Sequence, residues 1–299
     1  SVALVVSVMR LASKKVLVHD MKCIETLARV NVLCVDKTGT ITENTMEVNG
    51  EIPMDGYDSQ SMAPLKQIIS DFASAMSSDN ITMKAMKDYF NKPSGRKAVS
   101  VSPFSSQFKY SGAAFEDGSY VLGAPEFVLR EDYDNYREQI EQYSSEGYRV
   151  LVFGIYDGVI DGKALTGKVT PLGLVFLSNP IRKEAPETFK YFENQGVEIK
   201  VISGDNPVTV SQVALQAGIA NADNYIDAST LTTDEAIEDA VLRYTVFGRV
   251  TPDQKRKFVR ALKKAGRTVA MTGDGVNDVL ALKDADCSVA MASGSDAAA

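Results

Sequence analysis

The chain has 299 residues, 44% hydrophobic and 24% charged, an ordinary globular composition with length for one large domain or two of common size. Its net charge of −7 argues against nucleic acid as the main partner. One histidine, His19, excludes Ser/His/Asp and multi-histidine metal chemistry.

The first stretch, SVALVVSVMRLASKKVLV, is nearly all apolar from Val2 to Met9 and then carries Arg10, Lys14 and Lys15. A signal peptide has its charges before the apolar part. Two readings fit: the cytoplasmic exit of a membrane helix, or an amphipathic helix docked on the domain. No run reaches the roughly 18 apolar residues of a membrane span. NVLCVDKTGTIT (31–42) follows, an apolar strand that ends on Asp36. The middle has an antiparallel α+β texture. Strands are expected at 46–53, 96–104, 109–125, 148–158 and 170–178, with a hairpin turn at EDG (116–118) and helical segments near 61–91 and 131–146.

From 180 onward helix and strand alternate. APETFKYFENQG (185–196) is a helix ended by Gly196, and VEIKVISGD (197–205) is a strand. The helix at 206–219 opens on Asn206 and Pro207, the favoured cap and first-turn residues. A strand at 244–250 precedes a helix at 251–266, with Thr251 as cap and Pro252 first. Strand 267–275, helix 277–285 and strand 287–292 complete the series. The basic run KRKFVRALKKAGR (255–267) has Phe258, Val259 and Leu262 at helical spacing, which favours a solvated helix face over a phosphate patch. Cys23, Cys34 and Cys287 stand far apart without a CxxC, so zinc and disulfide readings have little support and a reducing compartment fits best.

Alternation of this kind predicts a Rossmann-like parallel sheet with helices on both faces. The strand at 31–36 finds its parallel partners only after 196, so the middle is expected to be an insertion. The expected division is 1–43 (stalk and first part of the parallel domain), 44–178 (an inserted antiparallel α+β domain) and 179–299 (the return).

Three strands of the parallel domain end on acids: Asp36 in VDKTGT, Asp205 in ISGDN and Asp274 in MTGDGVND. Ligands of open parallel sheets bind at the carboxyl ends of the strands, so these loops should converge. Carboxylates with hydroxyls and glycines suit Mg²⁺ and phosphate. Asp36 can attack a phosphoryl group and form an acyl phosphate, with Lys37, Thr38 and Thr40 supplying polar contacts. Asp274 is the candidate metal ligand, Asp278 stands one helical turn on, and Lys255 should lie near the same edge.

DKTGTIT, SGDN, TPDQK and TGDGVNDVLAL resemble the phosphorylation-domain motifs of P-type cation-transporting ATPases, on a haloacid-dehalogenase-like fold, in the family's order and over essentially the whole chain. The resemblance implies that Asp36 is the phosphorylated nucleophile, with Lys37, Thr38 and Lys255 catalytic. It implies Mg²⁺ held by Asp36, the Thr38 carbonyl and Asp274, with Asp278 a further metal-site candidate that could bind a metal water or orient the ligands. The phosphoryl group would be contacted by Thr38, Gly39, Thr40, Ser203, Gly204, Lys255 and Asn277. Asp205 and Arg249 would lie near the nucleotide or the hinge, with Arg182 close by, and the inserted domain would bind ATP through Phe104 and Lys109 of PFSSQFKYS and Gly123 of LGAPE. Leu122 replaces the family's lysine in that last motif, and NPIR (179–182) stands where DPPR is usual. No acid of the inserted domain is evident; DNITMKAMKDYF stands in its place.

A soluble Mg²⁺-dependent phosphatase of the same superfamily is the alternative. Such enzymes carry a second acid two residues after the nucleophile. Here that residue is Thr38, which is no general base near neutral pH, so the phosphoenzyme should persist as a pump requires. The expected activity is ATP hydrolysis that drives cation transport. The actuator and membrane domains would be separate parts of a longer protein at the cytoplasmic face of a membrane, the isolated piece monomeric, and the ion, with calcium preferred, bound in membrane helices.

Overall fold

The computed structural model describes residues 2–273 and 278–291. Helices α1 (Val2–Ser13) and α2 (Met21–Leu27) lead into strand β1 (Val32–Val35). The middle runs β2 (Glu47–Pro53), α3 (Leu65–Ala75), α4 (Ile81–Tyr89), β3 (Ser100–Ser102), β4 (Tyr110–Phe115), β5 (Gly118–Gly123), α5 (Pro125–Leu129), α6 (Arg137–Ser145), β6 (Arg149–Tyr156) and β7 (Val169–Ser178). The return runs α7 (Ala185–Asn194), β8 (Glu198–Ile202), α8 (Pro207–Gln216), β9 (Tyr225–Asp227), α9 (Asp234–Arg243), β10 (Val246–Gly248), α10 (Pro252–Lys264), β11 (Val269–Gly273), α11 (Val279–Asp284) and β12 (Cys287–Ala290).

The chain divides into two compact units. One is Ser1–Glu43 with Ile181–Ala299, the other Asn44–Pro180. The first holds a six-stranded sheet in the order β12-β11-β1-β8-β10-β9, parallel at every pairing. β1 lies inside it, with Val32 opposite Val269 on one side and Glu198 on the other. Both faces of β1 are buried, because side chains alternate across a strand. Val32 and Cys34 enter a core with Val241, Phe258 and Leu262 of α9 and α10, while Leu33 and Val35 enter a core with Phe189, Val210 and Ala214 of α7 and α8. A strand covered on both sides has to be apolar throughout, as VLCV is.

The second unit is a six-stranded antiparallel sheet, β2-β7-β6-β5-β4-β3. Ile69, Phe72 and Met86 of α3 and α4 pack on one face, and Val128, Leu129 and Ile140 of α5 and α6 on the other. The expected hairpin joins β4 to β5, with Phe115 paired to Gly118.

Some elements differ from expectation. The strand expected over 96–104 shrinks to Ser100–Ser102. Pro103 cannot donate to a ladder, and Arg96 turns aside to Asp71 and Asp117. The strand expected over 244–250 stops at Gly248 because Arg249 adopts φ 51°, outside extended conformation. β9 and α9 add to the expected elements; α9 opens on a Thr233 cap that accepts from Ala236 N at 3.1 Å. α1 buries none of its residues, and Val2, Val5, Val6 and Met9 stay exposed, so it is not the docked amphipathic helix of the second reading. Among the described residues no helix is long and apolar enough to cross a membrane.

Candidate active site

Asp36 directly follows β1, and its backbone is still extended, φ −82° and ψ 160°. Its Oδ1 accepts from Lys37 N at 2.6 Å, which turns the carboxylate back over the start of an irregular turn, Lys37–Ile41. Gly39 takes φ 79° there, a conformation costly for any residue with a Cβ. The turn is fastened by Thr42 N donating to Lys37 O at 3.0 Å and by Arg182 Nη2 donating to Gly39 O at 2.8 Å. A bridge between Thr42 and Ile181 holds the two strands of chain together at this point.

Lys255 comes from the first turns of α10. That helix begins with a capping box, in which Gln254 N donates to Thr251 Oγ1 at 3.2 Å and Thr251 N to Gln254 Oε1 at 3.1 Å. The cap fixes where α10 begins, and so where the ammonium ends up. Lys255 Nζ lies 2.7 Å from Asp36 Oδ2 and 2.7 Å from Asp278 Oδ1. All three side chains are shielded, at 6% exposure for Lys255, 14% for Asp36 and 2% for Asp278. Burial pushes the Asp36 carboxyl above the usual carboxylate range; Lys255 opposes this and Asp278 reinforces it. Burial alone would lower the Lys255 pKa, but Asp36 and Asp278 more than offset it, and the ammonium is held above its ordinary value. Two carboxylates thus share one ammonium.

The other loops meet the same edge. Ser203 follows β8, is buried, and accepts through Oγ from Asp205 N at 3.2 Å. Asp205 pairs with Lys37, Oδ2 to Nζ 2.8 Å. Thus the ammonium beside the Asp36 carboxylate belongs to Lys255, and Lys37 reaches across to the next loop. Arg182, the expected neighbour of the nucleotide or hinge, braces the Asp36 turn through that bond to Gly39. Arg249 N donates to Asp205 O at 2.7 Å, and its guanidinium pairs with Asp227. Asp274 and Asn277 lie outside the described residues.

Several features fit a hard cation and a phosphoryl group. Thr40 Oγ1 and Thr272 Oγ1 are buried without a hydrogen-bond partner among the described residues, and such atoms normally have one. A Cβ on Gly204 would meet only Val250 O, at 3.5 Å, so packing does not demand glycine there. Gly273 has a role that the sequence reading did not assign. A Cβ there would strike Asp278 Cβ at 2.7 Å and Oδ2 at 2.8 Å, so its bareness admits the Asp278 carboxylate. Among the described residues no group of three or more acids, cysteines or histidines forms a metal cluster.

The second unit has its own cleft, of about 290 Å³, lined by Met76, Asp79, Asn80, Met83, Phe104 and Ser111 among others. Phe104 at this cleft is 44% exposed. Lys109 and Gly123 do not line the cleft. They meet each other instead: Ala124 N donates to Lys109 O at 2.9 Å, and a Cβ on Gly123 would lie 2.4 Å from that same oxygen. Asp79 and Asn80 belong to DNITMKAMKDYF, to which no role was given. The signal for Asn80 was local: it caps α4, accepting from Met83 N at 2.8 Å, and the cap places the start of α4 at the cleft.

A family model for haloacid dehalogenase-like hydrolases matches residues 30–286. Among curated relatives, the calcium-transporting ATPase CtpE of Mycobacterium bovis is 44% identical over 299 residues, 99% of this chain and 37% of the relative. The probable cation-transporting ATPase exp7 of Streptococcus pneumoniae is 41% identical with the same coverage. Human calcium-transporting ATPase type 2C member 2 is 31% identical over 97% of this chain and 37% of its own. The chain therefore spans a little over a third of the length of these relatives. A crystal structure of a zinc-transporting PIB-type ATPase in its E2·Pi state shares the fold, with a TM-score of 0.67 at 21% identity over 94% of this chain and 39% of that one.

Proposed function

The chain belongs to the haloacid dehalogenase-like hydrolases, and on that footing we propose that it is the ATP-hydrolysing part of a P-type cation-transporting ATPase, working through an aspartyl phosphate at Asp36. One observation carries the reading: a shielded strand-tip carboxylate held 2.7 Å from an ammonium, with a threonine rather than an acid two residues further on. The named relatives support the cation-transporting half.

In the proposed reaction the Asp36 carboxylate attacks the γ-phosphorus of ATP in line with the departing ADP oxygen. A carbon–oxygen–phosphorus link forms as the phosphorus–oxygen bond to ADP breaks. Lys37 N keeps the carboxylate aimed. Lys255 offsets charge as two anionic groups approach, and unlike solvent it need not reorganise. Mg²⁺ would be held by Asp36, the Thr38 carbonyl and Asp274, and would neutralise phosphoryl charge. Thr40, Ser203, Gly204 and Asn277 would cradle the transferred group. Thr38 accepts no proton from water at neutral pH, so the acyl phosphate outlives its formation. The Phe104 cleft, with Asp79 at its rim, is proposed for the adenine end of ATP.

Acid-quenched labelling with γ-labelled ATP and Mg²⁺ tests this. We expect slow incorporation of label, released by hydroxylamine and absent in Asp36→Asn. Label that survives in Asp36→Asn overturns the mechanism, and fast turnover of small phosphate esters would make the chain a phosphatase. Calcium is the cation we propose for the whole protein, on the names of its mycobacterial and human relatives, with this piece at the cytoplasmic face of the membrane.

A further inference from the structure

The fold brings together two thiols that the sequence leaves 264 residues apart. Cys23 on α2 and Cys287 at the first position of β12 have their sulfurs 2.6 Å apart. This is closer than two unbonded sulfurs rest. Linear spacing gave no reason to pair them. Cys23 is partly open to solvent, whereas Cys287 is 3% exposed. The third cysteine, Cys34, is fully buried in the sheet. β12 is the outer strand of the parallel sheet, and α2 is the helix that hands the chain to β1 and Asp36.

We propose that Cys23 and Cys287 are a redox-modification site, a dithiol that closes to a disulfide under oxidant and ties α2 to the edge of the sheet. The oxidant is a low-molecular-weight disulfide. The partly exposed Cys23 thiolate attacks one of its sulfurs and releases the first small thiolate, giving a mixed disulfide on Cys23. Cys287 then gives its proton to solvent base, attacks the Cys23 sulfur and releases the second small thiolate. Two protein thiols are oxidised and one small disulfide is reduced to two thiols, so atoms and electrons balance.

Burial, with Cys23 adding to it, pushes the Cys287 thiol up to about 12. A thiol of that kind is a poor first attacker, and adjacency rather than acidity makes it the resolving partner. Burial likewise pushes Cys34 up to about 12, so it stays silent in the folded chain. In a reducing compartment the pair rests as thiols, and the tie forms when the small-thiol pool is oxidised.

The test treats the folded, fully reduced chain with 4,4′-dithiodipyridine and follows both released thiopyridone and intact mass. The expected result is two thiopyridones per chain, no retained adduct, a mass about 2 Da below the reduced chain, and a cross-linked peptide joining Cys23 to Cys287. The oxidised chain should melt higher by roughly 5 °C or more, reversibly with dithiothreitol, since the link closes a very long loop. Cys287→Ser should instead keep one pyridyl adduct on Cys23 and show no upward shift. A wild-type chain that keeps stable adducts on both cysteines, leaves Cys287 free, or links through Cys34 overturns the proposal. So does a chain that stays unreacted when folded but reacts fully in urea.

Discussion

Replacing Lys255 by methionine keeps the length of the side chain and removes its charge. Asp36 Oδ2 and Asp278 Oδ1 each lie 2.7 Å from Lys255 Nζ, so without the ammonium two carboxylate oxygens face each other at no more than about 5.4 Å. Two unit charges at that distance repel by about 3 kcal/mol at an effective dielectric constant near 20. Solvent does little to screen them, because the Asp278 side chain is 2% and the Asp36 side chain 14% exposed. Lys255→Met should therefore cost roughly 3–5 kcal/mol of stability, the typical penalty for removing one partner of a buried ion pair. Removing a second charge should then help. Lys255→Met combined with Asp278→Asn should recover about 2 kcal/mol over Lys255→Met alone, although Asp278→Asn by itself is destabilising. Urea denaturation of the full chain at pH 7, read for the transition of the parallel-sheet unit, measures all four corners of this cycle. If the double variant equals the sum of the singles to within about 0.5 kcal/mol, the shared-lysine account is wrong.

Phe104→Ala should leave stability within about 0.5 kcal/mol, since the ring is half-exposed, while weakening ATP binding about tenfold by loss of stacking area; titration calorimetry reads both the affinity and its absence. Gly123→Ala should destabilise the antiparallel unit by about 2 kcal/mol, because the new methyl would sit against the Lys109 carbonyl, and urea melts check it. Asp227 is held below its ordinary value of 3.8, first by the Ser229 hydroxyl and also by Arg249. Its folded-state pKa is depressed, so its stabilisation is present above pH 3.8 and lost as pH falls through the folded value. Asp227→Asn should accordingly flatten the fall in melting temperature below about pH 4, and an unchanged slope would show that the Ser229 and Arg249 contacts do not bind the charged form preferentially.

The parts of the site that a sequence exposes are those set by backbone rules. VLCV followed by Asp36 specifies a doubly buried strand with an acid at its tip. Thr251, Pro252 and Gln254 specify where α10 starts and hence where Lys255 emerges. The pairings between side chains were not legible, because they depend on how far each loop leans. Lys37 and Lys255 are both lysines near the same edge. Only the geometry gives Lys255 to Asp36 and Lys37 to Asp205. Arg182 sits just past the insertion, and nothing in NPIR says that its guanidinium turns back to the Gly39 carbonyl. Gly273 was visible as a residue of the motif but not as a spacer, since the clash it avoids is with a side chain five residues later. Asp79 and Asn80 lie in a segment that departs from the family's pattern, and the sequence marks there only the Asn80 cap of α4.

The placement of β1 has a consequence for synthesis on the ribosome. Its four residues appear before residue 36, yet its hydrogen-bonding neighbours are Glu198–Val201 and Val269–Met271. At about 5–20 residues per second, the second of these leaves the tunnel roughly 10–50 s after β1. During that interval the segment between them can complete the antiparallel unit, whose pairings all fall within 47–178. The strand that leads into Asp36 is therefore made well before both of its partners, and until they arrive Val32, Leu33 and Val35 are the kind of unpaired apolar segment that a nascent-chain chaperone protects.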